Sequence, residues 1–338
     1  MTSYPISISG SGLVEGTRER LFVPRLDNQY EQILYEKIEK KSGIKFWNVN
    51  QFNKDSEGNH LDAVAQAFED AMKSAGLYRK INKKLSPRVG VVYFNMYGPT
   101  SFMNKEFQVK EMYQSDVFPA FLLNNHNITG YSVRLRGERN SLFQGIELAK
   151  TLIQSGELDI VVVGGVFQTY SYLYLTEMLA SLQWQEANKL KVKKSTDKYN
   201  ITESAGFIVL ESSNTSEKRQ AHKKLNIEEL NSYSVLSSKS FLDASSLNVQ
   251  FNQEIDHCYF GLHGRTEVSQ VERMLLKDTC PGASHIDVTQ GSSDLVNLNA
   301  VKVLHQSILS ELNSNNLLHS IDRDGCAWNL IFTNNHKK

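Results

Sequence analysis

The stretch Leu158–Val163, closed by Gly164-Gly165, limits the folds open to this chain more than any other. Only Asp159 interrupts its apolar character, and the β-branched residues that follow leave no polar position on either alternating face. Such a run is a strand buried on both sides, and it is too short before its glycine stop to be a helix. A strand of that kind needs helices layered on both faces of its sheet. One candidate precedes it: Leu142, Ile146, Ala149, Leu152 and Ile153 fall on one helical face, and Gly156 ends the segment. The spacing therefore predicts an α/β protein.

The same grammar recurs along the chain. Ile6–Ser9 reads as a short strand; Leu61, Val64, Ala65, Phe68, Met72 and Ala75 predict a helix closed by Gly76; Val89–Phe94 and Gly206–Leu210 are further strands. Ser212–Lys224 is polar and charged, which predicts a surface connection and places a boundary between halves 1–215 and 216–338. Beyond it, Ile255–Phe260, His285–Val288 and Ala327–Phe332 read as strands, and Val268–Leu276 and Leu295–Leu309 as helices. Two halves with similar element order point to a structural duplication.

Composition removes several function classes. Lys plus Arg equal Asp plus Glu at 37 each, so the chain has no net field to gather nucleic acid or an anionic membrane. No apolar run approaches the roughly 20 residues of a membrane span, and the first ten residues lack a basic-then-apolar leader, so a cytoplasmic location is expected. Cys258, Cys280 and Cys326 form an odd set without motif spacing, which argues against a disulfide framework or a cysteine zinc site, and no metal is expected. Gly10-Ser-Gly12-Leu-Val-Glu-Gly16 follows a strand as a dinucleotide loop does, but its last glycine is one position late; it reads instead as a flexible turn leaving the first strand. His257, Cys258 and His263 lie close enough in sequence to keep a Cys/His transferase or hydrolase open, although strand alternation turns His257 and Cys258 to opposite faces.

The segment Gly130–Gly145, with Gly137-Glu138-Arg139 at its centre, followed by Ile146–Gly156 and Leu158–Gly165, resembles the nucleophile region of β-ketoacyl synthases. In that family a strand enters a tight elbow whose cysteine opens a buried helix, where backbone N–H groups stabilise a thiolate. The resemblance implies a thiolase-like fold, an α/β architecture of two pseudo-repeated halves in αβαβα layers. It also implies that position 139 should be the cysteine, and it is arginine, which carries no nucleophilic lone pair at accessible pH. The other family positions map to His263, where the first catalytic histidine is kept, to Ser292 in place of the second, and to Asp287 in place of the lysine. A buried arginine needs a carboxylate, for which Glu138 and Glu267 are the sequence candidates.

Chain-length factors, the silent ketosynthase-like subunits of type II polyketide synthases, commonly read Gly-Glu-Gln at this elbow, and this chain keeps the first two residues. That resemblance implies a non-catalytic subunit which binds no cofactor itself. It would pair with a catalytic ketosynthase and work beside an acyl carrier protein whose phosphopantetheine carries the substrate. Thr100-Ser-Phe-Met-Asn-Lys-Glu-Phe107 is similar to the family's gate segment, which implies that Thr100, Met103 and Phe107, on one helical face, set product length. The alternatives are an active acyltransferase or thioester hydrolase using Cys258 and His263, or a binding-only thiolase relative.

Overall fold

The computed structural model describes residues 5–22, 29–42, 47–52, 59–95, 120–136, 139–167, 179, 199–221, 224–234, 254–262, 266–290, 293–310, 312–321 and 326–334. Thirteen strands are present among them: β1 (Ile6–Glu15), β2 (Arg18–Phe22), β3 (Trp47–Gln51), β4 (Val89–Asn95), β5 (Ser132–Arg136), β6 (Ile160–Phe167), β7 (Tyr199–Thr202), β8 (Ser204–Ser212), β9 (Leu225–Ser234), β10 (His257–Phe260), β11 (Ser284–Asp287), β12 (Ser314–Ile321) and β13 (Cys326–Asn334). The helices are α1 (Gln29–Ser42), α2 (Asn59–Ser74), α3 (Ala120–Asn125), α4 (Ser141–Gln154), α5 (Ser213–Lys218), α6 (Thr266–Thr279) and α7 (Asn299–Leu309).

Ten strands form one sheet in the order β11-β10-β12-β13-β9-β1-β8-β6-β4-β5. Cut between β9 and β1, it yields two five-stranded sheets. Each has its third, second, fourth, fifth and first strand in that order, counting outward to inward, so the two halves share one topology. They join where Ile6–Ile8 pairs antiparallel with Leu225–Ile227. A separate small sheet, β2-β3-β7, completes the β structure.

Alternation along each strand assigns the layers. In β6, Val161 and Val163 enter the central cluster, while Ile160, Val162 and Val166 enter a second cluster with α2 and α3. Helices α4 and α7 lie in the central cluster between the sheets, beside Leu318, Trp328, Leu330 and Phe332 from the far sheet. The outer face of that sheet packs Cys258, Phe260, Leu317 and Ile331 against Leu276 and Cys280, at the end of α6. The result is five layers, α2/α3, sheet, α4/α7, sheet and α6, and the two-sided burial expected of Leu158–Val163 is realised in β6. Gly76 and Gly156, with φ of +67° and +76°, end α2 and α4 in the left-handed conformation that glycine adopts without cost.

Two expectations are corrected, at Gly10–Gly12 and at Leu295–Leu309, and the expected Ser212–Lys224 connection carries a short helix. Gly10 and Gly12 do not leave the first strand in a turn: β1 runs on to Glu15, and α2 lies directly on it. A Cβ at Gly12 would sit 2.1 Å from the Ala67 carbonyl oxygen, and one at Gly10 2.5 Å from that of Ala71. These glycines exist for close helix–strand packing. Ser212–Lys224 contains α5, whose first turn Ser212 caps by accepting a hydrogen bond from Thr215 N at 3.1 Å. Leu295–Leu309 is not one helix, because a 3-10 turn at Val296–Leu298 precedes α7.

Candidate functional site

Strand β5 feeds α4 through the elbow, and Arg139 and Asn140 are its last two residues before the helix. Arg139 is 4% exposed. Its guanidinium donates from Nη1 and Nη2 to the two carboxylate oxygens of Asp294, each at 3.0 Å, and from Nη1 to the Leu262 carbonyl at 2.8 Å. The planar fork of arginine matches a carboxylate in this two-point geometry, which lysine does not reproduce. The described carboxylate partner is Asp294, which the sequence reading did not name; Glu138 and the side chain of Glu267 lie outside the described residues.

Asp294 is fixed by backbone as well as by charge. Its N–H donates to Asn200 O at 3.0 Å and its carbonyl accepts from Thr202 N at 2.9 Å, which lays it alongside β7. Oδ1 also accepts from Asn299 Nδ2 at 2.6 Å and from Val296 N at 2.8 Å. Asn299 Nδ2 in turn donates to Leu262 O at 3.0 Å, and its Oδ1 accepts from Leu295 N at 2.8 Å. Val296 holds φ +56°, a costly conformation for a β-branched residue, maintained by the network its N–H joins. Beside this knot, Asn140 accepts from Ser320 Oγ at 2.6 Å and donates to Cys326 O at 3.3 Å. Both elbow residues are therefore anchored in the second half of the chain.

At position 139, where the resemblance implied a cysteine, the elbow carries a permanently protonated side chain held by the Asp294 carboxylate. Asp287 ends β11 half-buried, and its Oδ1 accepts from Thr289 N at 3.0 Å and Thr289 Oγ1 at 2.9 Å, a local turn rather than a catalytic contact. His263, Ser292, Thr100, Met103 and Phe107 lie outside the described residues.

Cys258 is corrected as a candidate nucleophile. It is fully buried in the apolar cluster of Phe260, Leu276, Leu317 and Ile331. Contact with the Cys280 sulfur and then burial push its thiol far upward, whereas a reactive cysteine needs a thiolate. Strand alternation separates His257 from it as expected, with His257 half-exposed on the opposite face.

Sequence reasoning missed Asp294 and a buried chain in the second half. Glu272, wholly buried, accepts from Gly261 N at 3.0 Å through Oε2, and its Oε1 lies 2.9 Å from His319 Nδ1. His319 Nε2 lies 2.7 Å from the Tyr233 hydroxyl. Burial, and then the Glu272 charge, hold the Tyr233 phenol well above its usual range. Gly261 stands two residues before His263 in the sequence, so this chain fixes the backbone just ahead of that histidine. A glutamate nine residues after that histidine is a signal only when β12 is known to bring His319 beside it. Among the described residues no cluster of His, Cys, Asp and Glu could hold a metal ion, and no helix is long and apolar enough to cross a membrane.

Known structures identify the architecture. A chain of the type II polyketide synthase complex AntDE:AntF, described as an acyl-carrier protein with its ketosynthase bound to the hexaketide, superposes with a TM-score of 0.69 at 12% identity, covering 99% of this chain and 100% of that one. The chain has a thiolase-like fold. The ketosynthase from module 6 of the Bacillus subtilis bacillaene synthase matches with a TM-score of 0.68 and 13% identity over 99% of this chain and 73% of that one. A β-ketoacyl synthase from Burkholderia phymatum matches at 0.65 and 12%, over 98% and 100%. No family model matches the sequence, and no curated protein matches it. The thiolase-like fold is thus kept at 12 to 13% identity with these ketosynthases.

Proposed function

We propose that this protein is a non-catalytic ketosynthase-like subunit, a chain-length factor of a type II polyketide synthase. It pairs with a catalytic ketosynthase and shapes the tunnel in which the product grows. The observation that carries this reading is Arg139 at the elbow, with its guanidinium held two-point by Asp294. An elbow so filled offers neither a thiol to take an acyl group nor a mobile charge to assist one. Keeping every layer of the fold around a vacated nucleophile position is what selection for a surface, rather than for chemistry, would leave.

On this reading the two halves, 1–215 and 216–338, act as one unit, and a catalytic partner covers an interface of thousands of Å², as permanent complexes do. An acyl carrier protein brings malonyl units on phosphopantetheine to that partner; the carrier protein that accompanies the ketosynthase in the AntDE:AntF complex supports this assignment. Thr100, Met103 and Phe107 form the wall that ends the tunnel.

The test is expression of the chain alone and with a cysteine-bearing type II ketosynthase. The expected result is aggregation or poor yield alone and a one-to-one complex by native mass spectrometry. A stable soluble monomer that ignores the ketosynthase, or one that takes up an acyl group from a pantetheine thioester unaided, would overturn the reading.

A further inference from the structure

The chain is neutral overall, but its charge is not evenly spread. At the N-terminal end of the parallel strands β4 and β6 lies a cavity of about 830 Å³, within the range of small-molecule sites. Leu85 leads into β4 and Asp159 into β6, so the cavity sits at the opposite end of the sheet from the elbow, which follows the C-terminal end of β5. Ala75, Leu77 and Leu85 give it an apolar floor, while its charged lining is Lys73, Lys80, Lys84, Lys218 and Arg219 against the single carboxylate Asp159.

Several of these charges are already engaged. Asp159 is held two-point by Arg88 at 2.7 Å, Arg219 by Glu211 at 2.7 Å, and Lys73 lies 2.8 Å from Glu69. Lys80, Lys84 and Lys218 remain, all exposed and all without an ion pair to any described residue. Lys218, in the last turn of α5, also complements that helix's C-terminal dipole, but Lys80 and Lys84 belong to no helix and are not explained in that way.

Their loop is also fixed. Asn82 Oδ1 accepts from Lys84 N at 3.0 Å and Leu85 N at 3.1 Å, Lys80 N donates to Leu77 O at 2.9 Å, and Asn127 Nδ2 donates to Ile81 O at 3.1 Å. The lysines thus rise from an ordered rim around a concave, partly apolar floor.

We propose that this cavity binds a small molecule bearing two or more linked phosphates, with Lys80, Lys84 and Lys218 as its phosphate contacts. Ammonium groups are compact point charges suited to phosphate oxygens, and three of them around one hollow favour a polyanion over a single carboxylate. A concavity of this volume suits a small ligand.

The experiment is calorimetric titration of the full chain, alone or in its complex, with inorganic tripolyphosphate at low salt. The expected result is saturable binding, weakened about threefold to tenfold by each of Lys80→Gln, Lys84→Gln and Lys218→Gln, and unaffected by the distant Lys37→Gln. All substituted side chains are exposed, so folding should be preserved, and a thermal melt verifies it. No saturable binding, or equal weakening by Lys37→Gln, overturns the proposal. Binding of hexaglutamate in preference to tripolyphosphate overturns it too, in favour of an acidic protein partner. The readout needs no ketosynthase, so it stands or falls apart from the proposed function.

Discussion

Replacing Asp294 by asparagine tests whether the elbow is truly locked by an ion pair. The substitution keeps the shape and leaves an oxygen to accept from Val296 N and Asn299 Nδ2, but it removes the charge opposite Arg139 and turns an N–H group toward one of its donors. Arg139 and Asp294 side chains are 4% and 2% exposed, so water does not replace the lost partner. Removing one member of a buried pair costs about 3 to 5 kcal/mol, because an uncompensated charge remains in a medium of low dielectric. With an unfolding entropy of about 2.1 cal/mol/K per residue, or roughly 0.7 kcal/mol/K for this chain, that is a fall in Tm of about 4 to 7 °C. Arg139→Met in the same chain removes the second charge, and Leu262 O keeps its bond from Asn299 Nδ2. The double variant Arg139→Met, Asp294→Asn should therefore regain at least half of the Asp294→Asn loss, about 1.5 to 2.5 kcal/mol, readable by differential scanning calorimetry or urea titration. If the two single losses simply add, within about 0.5 kcal/mol, the residues do not act as a pair and the locked-elbow reasoning is wrong.

Gly12→Ala should destabilise the chain by about 1 to 3 kcal/mol in urea titration, since both nearest atoms to the new methyl are α2 backbone and cannot rotate away. Arg139→Cys should not yield a ketosynthase: the new thiol would stand beside the unpaired Asp294 carboxylate, which opposes thiolate formation, and mass spectrometry of the complex with an inactivated partner should show no chain elongation. Burial lowers the affinity of His126 and His305 for protons, despite the opposing charges of Glu69 on the first and of Glu15 and Asp70 on the second. Their unfolded forms bind a proton near pH 6.5 and the folded forms only at lower pH, so stability is intact above that value and falls as pH drops below it. A His126→Gln variant should show a shallower loss of Tm between about pH 7.5 and 5.5. On the proposed function, in a complex with the ketosynthase and carrier protein, Phe107→Ala or Met103→Ala should lengthen the product and Thr100→Trp should shorten it by mass spectrometry; lower yield at unchanged length for all three would remove the gate assignment.

What the sequence revealed follows burial. Strand β6 and the neighbouring β4 were legible because both faces are apolar, and α2 and α4 because each presents one stripe to a sheet and ends at a left-handed glycine. The small sheet was not legible: Trp47-Asn-Val-Asn-Gln51 and Tyr199-Asn-Ile-Thr202 are short and mostly polar, and Val49 and Ile201 are isolated apolar positions in them. Gly10 and Gly12 were misread because a glycine pair carries the same letters in a turn and under a closely packed helix; only the alanines at 67, 71 and 75, spaced four apart along α2 and the turn that ends it, distinguish the two. At the site, the position of Arg139 was readable from the residues around it, but its partner was not. Asp294 lies 155 residues away and reaches the elbow only because it runs beside β7, an element whose own sequence scarcely announces a strand.

The elbow ties the two halves of the chain together through side chains. In a nucleophile elbow the residue at position 139 must remain open to a substrate and uncommitted to the protein, which leaves a cavity and an unsatisfied helix terminus at the meeting point of two halves. Here Arg139 binds Leu262 and Asp294, and Asn140 binds Ser320 and Cys326, all four from the second half of the chain. Among the described residues, strand pairing between the halves consists of Ile6–Ile8 with Leu225–Ile227 and the single bridge of Ile201 with Asp294, and these side-chain bonds add polar contacts to that short backbone seam. Polar groups buried at such a boundary specify one mutual arrangement more sharply than apolar packing does, because any slip leaves charges unpaired. On the proposed function, a subunit that presents a fixed surface to a catalytic partner gains from that rigidity, whereas an enzyme that must admit an acyl chain at the same place would lose by it.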